Sequence, residues 1–370
     1  MKKIISFTIS ILLIMLFVPL TGCSKDSSKQ TGNNDKITII DTLGREIDIK
    51  KDIKKVVAIG PGALRLYCYV SSVDKVAGVE QIEKDELTGR PYILANPSLS
   101  QLDIIGPGGP NNAPDAEKIL SVNPDVIFTT YAAEKNDNEE LQKKTGIPVV
   151  SLSYGKSSVF DEEVYKSIEI IGQVMNDNER AAEVVDYMRK CSEDLNNRTK
   201  DIPDNERPKV YAGALSMKGS HGLESTQGNY ALFKAINALN VADETGKTGS
   251  VMIDKEKLIE WNPDKIFIDY GGLSIVKDDY AKNPQYYKTL SAFCSGEVYS
   301  IQPYNFYTTN IDTAMTDAYY MATVIYPEQF SDIDPEAKAD EIYNFLLGKS
   351  LYEFMSRDFG KFCRISAFSQ

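Results

Sequence analysis

The chain carries 21 tyrosines against one tryptophan and one histidine, so its aromatic side chains are weighted towards the phenol. A phenol stacks, donates a hydrogen bond and, once ionised, ligates ferric iron. The ordinary use of a tyrosine is still to pack its ring and leave the hydroxyl at the surface. The single histidine, His221, sits between Gly219-Ser220 and Gly222 in a stretch that reads as loop. A lone histidine is more often structural than a ligand, and its loop position raises its functional interest. No Ser-His-Asp or Cys-His nucleophile can be argued from one histidine. A bare transition metal normally takes several His, Cys or carboxylate ligands, which leaves His221 as one tentative metal ligand and no firm site. Cys68, Cys191, Cys294 and Cys363 show no Cys-x-x-Cys spacing, and their disulfide state is left open.

Two of the tyrosines close the two copies of a repeat. Asp115 to Tyr131 reads DAEKILSVNPDVIFTTY and Asp254 to Tyr270 reads DKEKLIEWNPDKIFIDY, with nine of seventeen positions identical. Each copy predicts a short amphipathic helix, an Asn-Pro-Asp turn that proline keeps from continuing the helix, and an apolar strand. The strand then hands Tyr131 or Tyr270 to the loop beyond its C-terminal end. A repeat spaced this widely is too long for a solenoid and predicts two similar α/β lobes.

The other elements fit that plan. Ile37–Ile40 and Arg45–Ile49 flank Thr42-Leu43-Gly44 as a hairpin, and Lys54–Ile59 is a strand running into Gly60-Pro61-Gly62. Arg65 falls in the first turn of the helix that follows, near the mouth of the sheet. The strand, turn and helix lack Gly-x-Gly-x-x-Gly and Gly-Lys-Ser/Thr, which argues against a nucleotide. Tyr92 lies in a Pro/Gly/Asn-rich excursion, 91–114, that is expected to overhang a cleft. Periodic apolar positions predict continuous helix from Phe160 to Thr199, its second part, Asp177–Thr199, stretching about 35 Å at about 1.5 Å per residue. The second half repeats the plan, with loops at 216–229, at 270–272 and at Gln302 to Asn310.

The ends and the charge bound the setting. Lys2-Lys3 followed by an apolar run to Leu20 predicts a secretion signal over 1–22, and Ser24–Lys36 reads as a polar tether within 23–36. The formal charge of −12, or −14 once Lys2 and Lys3 leave, argues against nucleic acid, whose binding needs a basic surface. The expected domains are an N-terminal lobe over 37–158, connecting helices over 159–200 and a C-terminal lobe over 207–370.

Leu20-Thr21-Gly22-Cys23 resembles the lipobox of bacterial lipoproteins, which implies lipid on Cys23 and a place on the outer face of a membrane. The opening ITIIDTLGREIDIKKDIKKVVAIGP, both Asn-Pro-Asp strands and the late strand and helices resemble the solute-binding lipoproteins of ATP-driven importers, in the group that carries ferric siderophores, haem or cobalamin. The resemblance covers nearly the whole mature chain. It implies an α/β fold of two lobes with mostly parallel sheets on one long helix, a ligand cleft between them, no intrinsic cofactor and no enzymatic activity. A monomer would capture a small-molecule metal chelate, most plainly an Fe(III) chelate. It would deliver this to a cognate ABC permease dimer with its ATPase. In that family one glutamate per lobe pairs with arginines of the permease, and the matching residues are Glu117 and Glu256. Two equivalent carboxylates suit a partner with two equivalent basic pockets.

A ligand outside the carboxyl ends of the strands would meet Arg65, Tyr92, Tyr131, His221, Glu224, Tyr270, Tyr304 and Tyr307. Haem through His221 or a tyrosine, cobalamin, and free iron, nickel or cobalt are the alternatives within the class. A chelatase-like enzyme and a surface adhesin are the alternatives outside it. The leader and the lone histidine count against the enzyme, and the duplicated glutamates against the adhesin.

Overall fold

The computed structural model describes residues 35–368 apart from 86–87, 110–111, 132–134 and 217. The expected leader, Cys23, most of the tether and Met217 beside His221 lie outside the described residues. Asp35–Gln370 is one compact unit.

The hairpin forms as Lys36–Ile40 against Glu46–Lys50, with Ile39 opposite Ile47 and Gly44 turning at φ 71°. Its turn is clamped by a buried ion pair. Arg45 Nε and Nη2 donate to Asp41 Oδ2 at 2.9 and 2.6 Å, and Nη2 also reaches the Val149 carbonyl at 2.7 Å. Ser151 N donates to the same carboxylate at 3.2 Å, so the Asp-x-Leu-Gly-Arg run fastens the hairpin to the edge of the first sheet.

That sheet is parallel, in the order Val56–Ile59, Val126–Thr129, Val149–Ser151, and every residue of the three strands is buried. Buried on both faces, its strands are continuous apolar runs rather than alternating ones. The second sheet runs Leu239–Asn240, Lys209–Gly213, Lys265–Asp269, Val298–Ile301 and Cys363–Arg364, parallel except for the last strand.

The repeat therefore supplies a central strand to each sheet, and the Asn-Pro-Asp turns do the same work twice. Asn123 and Asn262 adopt φ of 49° and 41°, left-handed values that asparagine tolerates. Asp125 Oδ2 then accepts Lys54 N and Lys55 N at 2.9 and 3.0 Å, and Asp264 Oδ2 accepts Lys209 N at 2.7 Å. Each aspartate thus pins the start of its lobe's neighbouring strand.

Helices Glu162–Met175 and Asn178–Thr199 connect the sheets, the second starting after Asp177, whose side chain makes no capping hydrogen bond, and burying Ala181, Val184, Val185, Met188, Cys191 and Leu195. Among the described residues no helix is long and apolar enough to cross a membrane. The largest core runs through both halves, joining Leu66 and Tyr69 of the first lobe to Met315, Tyr319 and Tyr343 of the C-terminal helices.

Several expected elements differ. The runs Lys75–Glu80 and Tyr230–Leu239, which read from sequence as a strand and a helix, form only strand Gly78–Val79 and helix Ala231–Ala235. The excursion 91–114 is not one open loop. It folds into the turns Pro91–Ala95 and Pro97–Gln101 and a short strand, Asp103–Ile104, and its apolar side chains Ile93 and Leu99 enter the core.

Candidate binding site

Loops from the C-terminal ends of both sheets converge, and the segment Gln302–Asn310 of the second half reaches into the first. Tyr307 and Thr308 take left-handed φ of 51° and 65°, a turn that drives the Tyr307 ring toward the first lobe. There its hydroxyl donates to Glu80 Oε2 at 2.8 Å, and Tyr131 donates to Glu80 Oε1 at 2.7 Å. The two phenol oxygens are 3.0 Å apart, and Gly60 N completes the carboxylate's set at 2.9 Å. Burial raises the Glu80 pKa, and the donors from Tyr131, Gly60 and Tyr307 pull the other way. Burial first, and then the Glu80 carboxylate, push both phenols up, so in this arrangement they stay protonated donors.

Arg65 does not stand open at the mouth of the sheet. It is fully buried, and its guanidinium donates to Asn310 Oδ1 at 2.7 Å, the Thr309 carbonyl at 2.8 Å, the Phe306 carbonyl at 2.8 Å and the Tyr154 hydroxyl at 3.0 Å. Three of those four acceptors belong to the incoming segment, so Arg65 ties the second half to the first. The cause is helix geometry: a side chain in the first turn of Ala63–Val70 faces the segment that covers the Gly-rich turn. A Cβ on Gly62, whose φ is 81°, would lie 2.3 Å from the Tyr154 hydroxyl and 2.6 Å from Thr308 Cγ2. Side chains thus fill the place a phosphate would need.

Tyr92 is also enclosed rather than overhanging a cleft. Its ring lies under the Arg65 guanidinium, 4.8 Å from its centroid, and its hydroxyl donates to Glu83 Oε2 at 2.5 Å. Arg90 pairs with the same carboxylate at 3.3 Å. Burial raises the Glu83 pKa against the pull of Arg90 and Tyr92.

The remaining expected residues make other contacts. His221 is half-buried, and a Cβ on Gly272 would meet its carbonyl at 2.3 Å, so the 214–224 loop and the Tyr270–Gly272 turn touch backbone to backbone. Glu224 pairs with Lys255 at 3.6 Å, and Lys255 pairs more closely with Asp279 at 2.6 Å. Tyr270 packs on Gly360, where a Cβ would come within 2.6 Å of the ring. Tyr304 is buried, and its carbonyl accepts Asn310 N at 2.7 Å. Glu117 and Glu256 are exposed on helices Ala116–Ser121 and Lys255–Trp261.

The structure thus brings Arg65, Tyr92, Tyr131 and Tyr307 together and leaves His221, Glu224 and Tyr270 apart from them. Glu80, Glu83, Arg90, Tyr154 and Asn310 complete the first group and were not anticipated. Glu80 carried the one usable signal, an acid closing the apolar run KVAGVE. Among the described residues no cluster of three His, Cys, Asp or Glu side chains forms a metal site.

A separate cavity of about 570 Å³, with none of the side chains above in its wall, opens between the 156–160 segment, helix Asn178–Thr199 and the strand and helix at 227–235. Lys156, Ser157, Asn196, Gln227, Asn229 and Lys234 supply its polar wall and Phe160 part of the apolar one. Its size lies within the ordinary range for small-molecule sites, about 300–1,000 Å³. Two ammonium groups among hydroxyls and amides suit an anionic, oxygen-rich ligand.

The sequence matches the family described as periplasmic binding protein over residues 56–304. YvrC of Bacillus subtilis, an uncharacterised ABC transporter substrate-binding lipoprotein, is 25% identical over 86% of this chain and 97% of its own. The molybdate-binding protein MolA of Haemophilus influenzae is 24% identical over 88% of this chain and 94% of its own. The structure of MolA bound to molybdate has a TM-score of 0.67, with 20% identity over 85% of this chain and 98% of that one. A TroA-like periplasmic binding protein, FepB, from Veillonella parvula reaches 0.66, with 23% identity over 85% and 97%. With two parallel sheets joined by a long helix and that match across both, the chain belongs to the periplasmic binding protein family, whose members serve ABC importers as substrate-binding components.

Proposed function

We propose that this protein is a lipid-anchored, extracytoplasmic carrier that captures a ferric chelate between its lobes and hands it to a two-fold permease through Glu117 and Glu256. The observation that carries the reading is the duplicated strand unit. It sets one exposed glutamate on each lobe and, at its other end, one tyrosine in each set of converging loops. The 570 Å³ cavity, with Lys156 and Lys234 among hydroxyls and amides, supports an anionic, oxygen-rich cargo of chelate size. Lipid on Cys23 would hold the carrier at the membrane, with the tether giving it reach.

A second reading, a bare oxyanion, is favoured by the likeness to molybdate-binding MolA. One panel separates the two. The soluble chain from Ser24 is screened by thermal shift and native mass spectrometry against ferric siderophores, ferric citrate, haem, cobalamin, nickel, molybdate and tungstate. A ligand at about 100 times its Kd adds about 2.7 kcal/mol, a rise of several degrees. A rise with one ferric chelate class supports the proposal. A rise with molybdate alone replaces it, and no rise throughout removes the chelate reading.

A further inference from the structure

Leu120 and Ile259 hold the same position in the two copies of the repeat, and both are exposed, at 43% and 39%. A single exposed aliphatic side chain needs no explanation. A matched pair does, because neighbouring positions have diverged freely: Ser121 faces Glu260, and Val126 faces Lys265. The residue just before each one, Ile119 or Leu258, is buried and anchors its helix, so neither aliphatic is needed for the core. Three residues earlier stands the exposed glutamate, Glu117 or Glu256, and positions i and i+3 share one helix face. Each lobe therefore presents the same patch, a carboxylate beside an aliphatic side chain.

We infer that Leu120 and Ile259 are paired apolar docking contacts, each seating beside its glutamate on one subunit of a two-fold membrane permease. The inference rests on the docking role proposed above for Glu117 and Glu256. A one-copy patch would suit any partner, whereas two copies of a mixed charged and apolar patch fit a partner that repeats a cationic pocket with an apolar rim. Interfaces of this kind place aliphatic contacts around a charged pair and keep water from it.

The test places a photo-crosslinking phenylalanine analogue singly at 120, 259 or 354 of the full, membrane-anchored chain in cells, with and without Glu117→Gln and Glu256→Gln, and identifies adducts by mass spectrometry. Phe354, another exposed apolar residue at 40%, is the control. Adducts to the same ABC permease polypeptide from both 120 and 259, and none from 354, support the inference. No permease adduct from 120 or 259, where Glu117→Gln with Glu256→Gln abolishes permease binding, overturns it and leaves the glutamate docking intact. Adducts from 120 and 259 that persist undiminished with Glu117→Gln and Glu256→Gln keep the apolar contacts and remove the glutamate role. Adducts only to a second copy of this chain, or none from either position with permease binding indifferent to the two glutamates, overturn both. Replacing Leu120 or Ile259 with Ser is expected to weaken permease binding roughly tenfold each.

Discussion

Arg65, expected near the mouth of the first sheet, is fully buried in the seam between the halves. Three of its four acceptors belong to the Gln302–Asn310 segment, and the Asn310 and Thr309 contacts are buried. Arg65→Met should lower unfolding free energy by about 3 kcal/mol or more, since it leaves buried acceptors unpaired. Arg65→Lys should recover less than half of that, because an ammonium cannot reproduce the planar fork. Denaturant unfolding curves measure both, and a change under about 1 kcal/mol for Arg65→Met would refute the tie. A second residue sets a pH dependence. Burial is the largest influence on Asp269 and lifts it to about 7, against amide donors from Gly271 and Ser216. The folded chain keeps a proton that the unfolded chain has already lost above the ordinary carboxylate range. Asp269's contribution is therefore complete below that range and is lost as pH rises to about 7. Asp317, also lifted by burial, acts in the same direction. Asp269→Asn should flatten the fall of stability between about pH 5 and 7 by up to about 1.4 kcal/mol per pH unit. Urea curves at three pH values across that window would show it.

At the scale of elements, the repeat was legible because its physics is local. A proline ends a helix, an asparagine takes a left-handed turn, and an apolar run makes a buried strand. The aspartates' second task, holding the next strand's amide groups, was not legible, because Lys54 and Lys209 lie about 55 to 70 residues from them. Asp125→Ala and Asp264→Ala should each destabilise by about 1–2 kcal/mol. With no shared partner, the two losses should add within about 0.5 kcal/mol in the double variant. A clear shortfall from additivity would mean the two turns are coupled. The same limit explains the site. Tyr131 and Tyr307 were visible as phenols near strand ends, but their meeting on Glu80 depends on contacts 51 and 227 residues apart. Tyr92 is enclosed because the excursion 91–114 folds inward instead of hanging free, and Arg65 because the Gln302–Asn310 segment covers it.

At the scale of the molecule, the two larger sheets share a core, and the C-terminal helices close onto the first lobe. Arg180 bridges the Tyr69 and Phe345 carbonyls, and Tyr187 stacks on Phe345 at 3.9 Å. Calorimetry should therefore show one unfolding transition with van't Hoff and calorimetric enthalpies near unity, not two lobes melting in turn. Two resolved peaks would contradict the shared core. The long helix and shared core also point to small adjustments around a ligand rather than wide hinge closure.

Glu80 carries one more consequence. It sits between two hydroxyl donors, one from each half, with little water to solvate it. Any cargo that parts Tyr307 from Glu80 removes a donor that favours the ionised carboxyl, and without a cation in its place the carboxyl moves toward taking up a proton. Binding enthalpies taken in two buffers of unlike ionisation heat would count those protons directly, and so tell a cation-delivering cargo from a neutral one before its chemistry is known.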